Sequence, residues 1–150
     1  MFTVSFFGHR HIDNFKSTEE KVSSIIEQLI TTHNEIIFLV GKEGNFDWIV
    51  SSIIRRKKNI YKKHELVLVL PYPTAEYITN AEYFEAYYDY VEVCQESAVA
   101  HPKAAYQIRN KNMVDRSDLS VFFVSKQIGG AAKTIKYTQK HNKAFINLAL

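Results

Sequence analysis

The chain has 150 residues, 46% of them apolar and 23% charged, with a formal net charge of +3. That length and balance suit one folded domain with a real core and exclude a disordered chain. The charge is too mild to point to nucleic acid as a partner. Cys94, the single cysteine, excludes an internal disulfide or a thiolate zinc cluster and suits a reducing compartment, so a cytoplasmic protein is expected.

The first residues, Met1 to Phe7, lack the basic leader and small-residue cleavage site of a signal peptide. No apolar run approaches the roughly 20 residues of a membrane-spanning helix, so no membrane association is expected. Phe2–Phe7 reads as a strand buried on both faces, stopped at Gly8. Ser17, with Glu20 three residues on, reads as a helix cap, and Val22, Ile25, Ile26, Leu29 and Ile30 give that helix one apolar stripe. Ile36–Val40 is a second strand, ending at Gly41. Phe46, Ile49, Val50, Ile53 and Ile54 form the next helical stripe, which closes in Arg55-Arg56-Lys57-Lys58. Glu65–Leu70 is a third strand, stopped by Pro71-Tyr72-Pro73.

This β-α-β-α-β order predicts an α/β, Rossmann-like three-layer fold with a mostly parallel central sheet, its first strands side by side as 3-2-1. From Thr74 to Ala100 the pattern weakens: Glu76–Tyr88 is a helix or an ordered loop, and Tyr90–Cys94 a short strand. Pro102 suits the first turn of a helix running toward Arg116. Leu119–Val124 is a buried strand, Gly129-Gly130 opens a helix through about His141, and Ala144–Leu148 is a last strand. No linker or repeat interrupts the chain, so residues 1–150 are expected to form a single domain.

Open parallel sheets bind ligands outside the carboxyl ends of their strands, where strand order reverses. The residues at those ends are Gly8-His9-Arg10, Gly41-Lys42-Glu43-Gly44 with Asp47, Pro71-Tyr72, and Ile128-Gly129-Gly130 with Thr134. Glycines that free helix-start amides, beside basic or hydroxyl side chains, make a pocket for phosphate. Neither a six-position dinucleotide fingerprint nor a Walker-type loop is present. In the segment Arg109 to Asp118, Arg109, Met113 and Arg116 share a helical face. Arg109 suits a planar fork for phosphate or carboxylate, while Asn110 and Asp118 could anchor the turn into the next strand.

Gly8-His9-Arg10, the run Arg109-Asn110-x-x-Met113-Val114-Asp115-x-Ser117-Asp118 and Gly129-Gly130 together resemble the SLOG superfamily. That superfamily groups the DNA-processing Smf/DprA domain with the Lonely Guy cytokinin-activating proteins, and the resemblance is to its stand-alone bacterial, YpsA-like branch. It implies a Rossmann-like sheet whose glycine loops hold a nucleotide or nucleotide-derived ligand, of the ADP-ribose kind. The branch pattern Gly-x-Ala-x-Gly-x-Asp is matched in part by Gly41-Lys42-Glu43-Gly44-Asn45-Phe46-Asp47, where Glu43 replaces the alanine and the spacing is one residue shorter. Lonely Guy enzymes cleave nucleoside monophosphates with an arginine and with a glutamate that follows Pro-Gly-Gly-x-Gly-Thr. Here Ile128 stands in the proline's place, Ala131-Ala132-Lys133 follows the double glycine, and no glutamate occurs between Ala131 and His141. The resemblance therefore argues against that phosphoribohydrolase activity.

His9, His11 and Asp13 lie in one short loop with no distant partner identifiable, a poor metal site, and no metal is expected. Arg55–Lys58 with Lys62-Lys63 reads as a solvated helix end. Tyr77, Tyr83, Phe84, Tyr87, Tyr88 and Tyr90 read as core, as a self-contact giving a homo-oligomer, or as a lid that stacks on a ligand's base. Cys94 reads as a small core residue. The leading expectation is a sensor or accessory domain for a small nucleotide derivative. A hydrolase of N-glycosidic bonds using Arg109, Asp47 or Asp118 stands second. A nucleic-acid-binding module stands third, and nucleic acid is not the expected partner.

Overall fold

The computed structural model describes residues 1–61 and 63–150; Lys62, part of the basic run, lies outside the described residues. The chain runs β1 (Phe2–Gly8), α1 (Phe15–Thr32), β2 (Ile36–Val40), α2 (Asn45–Lys57), β3 (His64–Leu70), α3 (Ala75–Thr79) and α4 (Ala81–Tyr87). It continues with β4 (Tyr90–Val93), α5 (Gln95–Ala98), α6 (Pro102–Asp115), β5 (Leu119–Phe123), α7 (Gly130–Lys140) and β6 (Phe145–Asn147). The six strands form one sheet in the order β4-β3-β2-β1-β5-β6, and every pairing is parallel. Strand order reverses between β1 and β5, where Val4 faces Leu119 and Gly8 faces Phe123.

Alternate strand residues feed two cores, because side chains leave a strand on opposite faces. Phe6, Phe38 and Leu68 pack with α1, α2 and Phe84 of α4 on one face. Phe7, Leu39, Val67 and Phe122 pack with Met113 of α6 and Ile135 of α7 on the other. The architecture is thus an α/β, Rossmann-like three-layer fold. Among the described residues no helix is long and apolar enough to cross a membrane.

Two local expectations differ from the structure. Helix α1 starts at Phe15, capped by Asn14, whose side chain accepts from the Ser17 amide at 3.1 Å, so Ser17 lies in the first turn. Asparagine caps as well as serine, so a cap at Asn14 lets the helix begin one turn earlier and makes the Ser17 amide one of the orphan donors that the cap satisfies. The tyrosine-rich stretch forms two short helices, α3 and α4, that meet at Asn80. Phe84 and Tyr88 turn into the core at helical spacing while Tyr83 and Tyr90 stay exposed, and the break at Asn80 keeps one period from running through the whole stretch. Pro102 opens α6, with the His101 ring accepting from the Lys103 amide at 3.1 Å.

Candidate functional site

The loops leaving β1 and β2 lie beside the start of α7 at the carboxyl edge of the sheet, with α6 across from them. Between them is a cavity of about 310 Å³, at the lower end of the roughly 300–1,000 Å³ usual for small-ligand clefts. Gly8, His9 and Arg10 line it from β1, Gly41 and Asp47 from β2 and α2, Arg109 and Asn110 from α6, and Gly129 and Gly130 from α7.

Close approach of chain segments explains most of these glycines. A Cβ on Gly8 would fall 2.3 Å from the Phe46 ring, and one on Gly44 would fall 2.4 Å from the Arg10 Cα. The Asn45 amide donates to the Arg10 carbonyl at 2.8 Å, so Gly44 clamps the first loop onto the second. A Cβ on Gly41 would lie 3.1 Å from both Arg109 Nη1 and Asp47 Oδ2. Its absence leaves room for both groups over the end of β2. Gly129 has φ of +102°, a conformation that side-chain-bearing residues avoid. No side chain caps α7, nor α2 behind Gly44. First-turn amides of α7 are left for another acceptor.

Arg109 is only 5% exposed. Its Nη1 donates to the Val69 carbonyl at 3.0 Å, and its Nε and Nη2 donate to Asn110 Oδ1 at 3.1 and 2.9 Å. Asn110 in turn donates to Thr134 Oγ1 at 3.0 Å, and Thr134 donates to the Gly130 carbonyl at 2.9 Å. Thr134 is fully buried and does not line the cavity; it ties the guanidinium to the opening turn of α7. The nearest carboxylate oxygen, Glu43 Oε1, is 4.0 Å from Nη1, beyond hydrogen-bond range. Of five guanidinium hydrogens, two take no part in these bonds. Burial lowers the Arg109 pKa, opposed by the nearby Asp47 and Glu43.

Burial pushes the Asp47 carboxyl up to about 6, against the pull of the Glu43 amide, which donates to it at 2.8 Å, and of Arg109. As a residue Asp47 keeps partial exposure, and it is the carboxyl end that is packed away. His9 Nε2 accepts the Ser125 and Lys126 amides at 3.0 and 3.1 Å, so the ring holds the loop that leads to Gly129. Burial first, and Lys126 second, lower its pKa. His11 pairs only with Asp13 on the exposed surface.

Asp118 lies elsewhere. At the start of β5 it accepts the Thr3 amide at 2.8 Å while its own amide donates to the Thr3 carbonyl, which places it at the opposite, amino edge of the sheet. The expectation that it belongs with the ligand residues is corrected: its carboxylate joins β5 to β1. Glu43, one of the strand-end residues, faces Arg109. Two lining residues escape a glycine-led reading of the sequence: Tyr106 has the Arg109 guanidinium 5.3 Å from its ring centre, and Gln107 donates to the Gly130 carbonyl at 3.1 Å. Tyr106 precedes Arg109 by one helical turn, a spacing that marks a shared face. Burial and the neighbouring Glu43 push its phenol up to about 12.

No protein-family model matches the chain, and no curated protein matches it in sequence. Solved structures do match. DNA processing protein A (DprA) from Streptococcus pneumoniae superposes with a TM-score of 0.70 at 13% identity, covering 96% of this chain and 49% of that one. DNA processing protein A from Helicobacter pylori, described by its single-stranded DNA binding mode, gives 0.62 at 16% identity, with 96% of this chain and 63% of that one covered. The fold is one that DprA proteins carry. The chain spans between about half and under two thirds of the length of these neighbours. The expectation against nucleic acid is thereby corrected, since a neighbour with this fold is described by binding single-stranded DNA. Net charge is a weak guide here because single strands are held by a local groove and by stacking.

Proposed function

We infer that the chain binds single-stranded nucleic acid, with one backbone phosphate seated between the first turn of α7 and the Arg109 guanidinium. The observation that carries this reading is Arg109 itself, 5% exposed and without a hydrogen-bonded carboxylate. Buried charges are normally paired, and an anion at the uncapped start of α7 would supply the partner. The single-stranded DNA binding of the Helicobacter neighbour favours a strand over a free nucleotide. A free nucleotide derivative, the ligand the sequence favours, brings the same phosphate and would compete for the same cavity. The match of Gly41 to Asp47 to the YpsA-like pattern supports that second ligand. Base release from a nucleoside monophosphate is not part of this reading, because α7 contains no glutamate.

The test is fluorescence anisotropy with a labelled oligothymidylate. Arg109→Ala removes a charge-assisted contact worth roughly 1.5–3 kcal/mol, and affinity is expected to fall by about one to two decades. Gly130→Val places a branched side chain at the helix start, where the only heavy atom near a new Cβ is the flexible Gln107 Nε2 at 3.3 Å. The fold should therefore tolerate it while affinity drops. Unchanged affinity in both variants, with unchanged melts, would remove the cavity from the binding surface.

A further inference from the structure

A second cavity of about 310 Å³ adjoins the first and shares Gly41 and Asp47 with it. Its floor is Phe84 and Tyr88, both buried, and its walls are Trp48 of α2 with Tyr83 and Tyr87 of α4. Trp48 is 57% exposed and Tyr83 65% exposed. Large aromatic faces left open beside a cleft mark a binding surface. Positive charge flanks them. The Arg55 guanidinium lies 4.0 Å from the Tyr87 ring centre, and the Lys42 ammonium 5.3 Å from that of Phe84. Lys42 is held by Glu76 at 2.6 Å, whereas Arg55 has no carboxylate partner among the described residues.

We propose that this second cavity is a base-stacking subsite, taking one unstacked nucleobase of the strand whose phosphate occupies the first cavity. The proposal rests on the single-strand reading above. Three features select a nucleobase over an apolar peptide side chain. The walls are flat π-faces with polar tips, the rim is basic where a peptide would demand no charge, and the cleft shares Gly41 and Asp47 with the phosphate cavity. Aromatic faces beside a basic track are how sequence-tolerant single-strand binders hold bases. Arg55, stacked on Tyr87, is placed to meet the next phosphate along α2.

Trp48 is the chain's only tryptophan, so its fluorescence reports on this subsite alone. The experiment titrates the full chain with oligothymidylate and with an abasic oligomer of equal length, reading anisotropy of the labelled strand and emission of Trp48. Oligothymidylate is expected to bind and quench Trp48, and the abasic strand to bind more weakly without quenching. Trp48→Ala and Tyr83→Ala, both at exposed positions, should weaken oligothymidylate by on the order of tenfold and leave the abasic strand unaffected. If oligothymidylate binding depends on Arg109 but ignores Trp48 and Tyr83, or leaves the emission unchanged, the base subsite falls and the single-strand function stands. If the unaltered chain binds neither strand, both fall together.

Discussion

Asp47 carries the sharpest consequence of the cavity's chemistry. Its carboxyl titrates near 6, above its ordinary value of 3.8, chiefly because burial disfavours the charge. The folded chain then holds a proton that the unfolded chain releases between those two values, so this group's contribution to stability falls as pH rises through that window. Asp47→Asn should keep the bond from the Glu43 amide, since an amide oxygen also accepts. It should melt higher than the unaltered chain at neutral pH, and the advantage should vanish below about pH 4, where both forms are neutral in either state. The same substitution removes a negative charge facing the incoming phosphate. At neutral pH the variant should bind oligothymidylate more tightly, and the gap should close as pH drops below about 6. Weaker binding by Asp47→Asn at neutral pH would instead make the carboxylate part of the ligand's hold. Glycines and a buried arginine announce themselves in a sequence because few residue types can replace them, which is how Gly41, Gly129 and Arg109 could be singled out. Tyr106 and Gln107 carry no such mark, and the chemistry of Asp118 is indistinguishable from a site carboxylate until β5 is seen to begin at the other edge.

Helices α3 and α4 decide whether the second cavity exists at all. They hang on the sheet through Phe84, 2% exposed, which packs against Tyr77 at a tilt and against Tyr88 edge to face. Phe84→Ala should cost about 3–5 kcal/mol if the loss is shared by the whole fold. Because α4 makes few other buried contacts, the expected outcome is local: faster amide hydrogen exchange across 75–88 with the strands still protected. Uniform acceleration through β1, β2 and β3 would show that α4 belongs to the main cooperative unit. The sequence is hardest to read in this same stretch. β1, β2 and β3 are apolar runs stopped by glycine or proline, β5 is an apolar run between Asp118 and Ser125, and α1, α2 and α7 bury one stripe each, so each period is visible. Residues 75–98 hold three helices of four to seven residues around a four-residue strand, each too short to repeat its period more than about twice. The helix cap at Asn14 was hidden for another reason, since Ser17 offers the same capping chemistry three residues downstream.

The six-stranded parallel sheet places the reversal of strand order between β1 and β5, and everything assigned to binding follows from that edge. The likeness to DprA proteins covers 96% of the chain at 13–16% identity, so what is shared is the fold rather than the side chains. The parallel fold was readable from element order alone, whereas the partner was not, because a net charge of +3 says nothing about where cations gather. The most direct measurement is backbone amide chemical-shift mapping of the labelled chain titrated with oligothymidylate. Shifts are expected at Gly8, Gly41, Gly129 and Gly130, with none at Thr3 or Asp118 on the opposite edge. Shifts confined to that amino edge, or to the outer strand β6, would contradict the assignment of the strand-end cavity to nucleic acid.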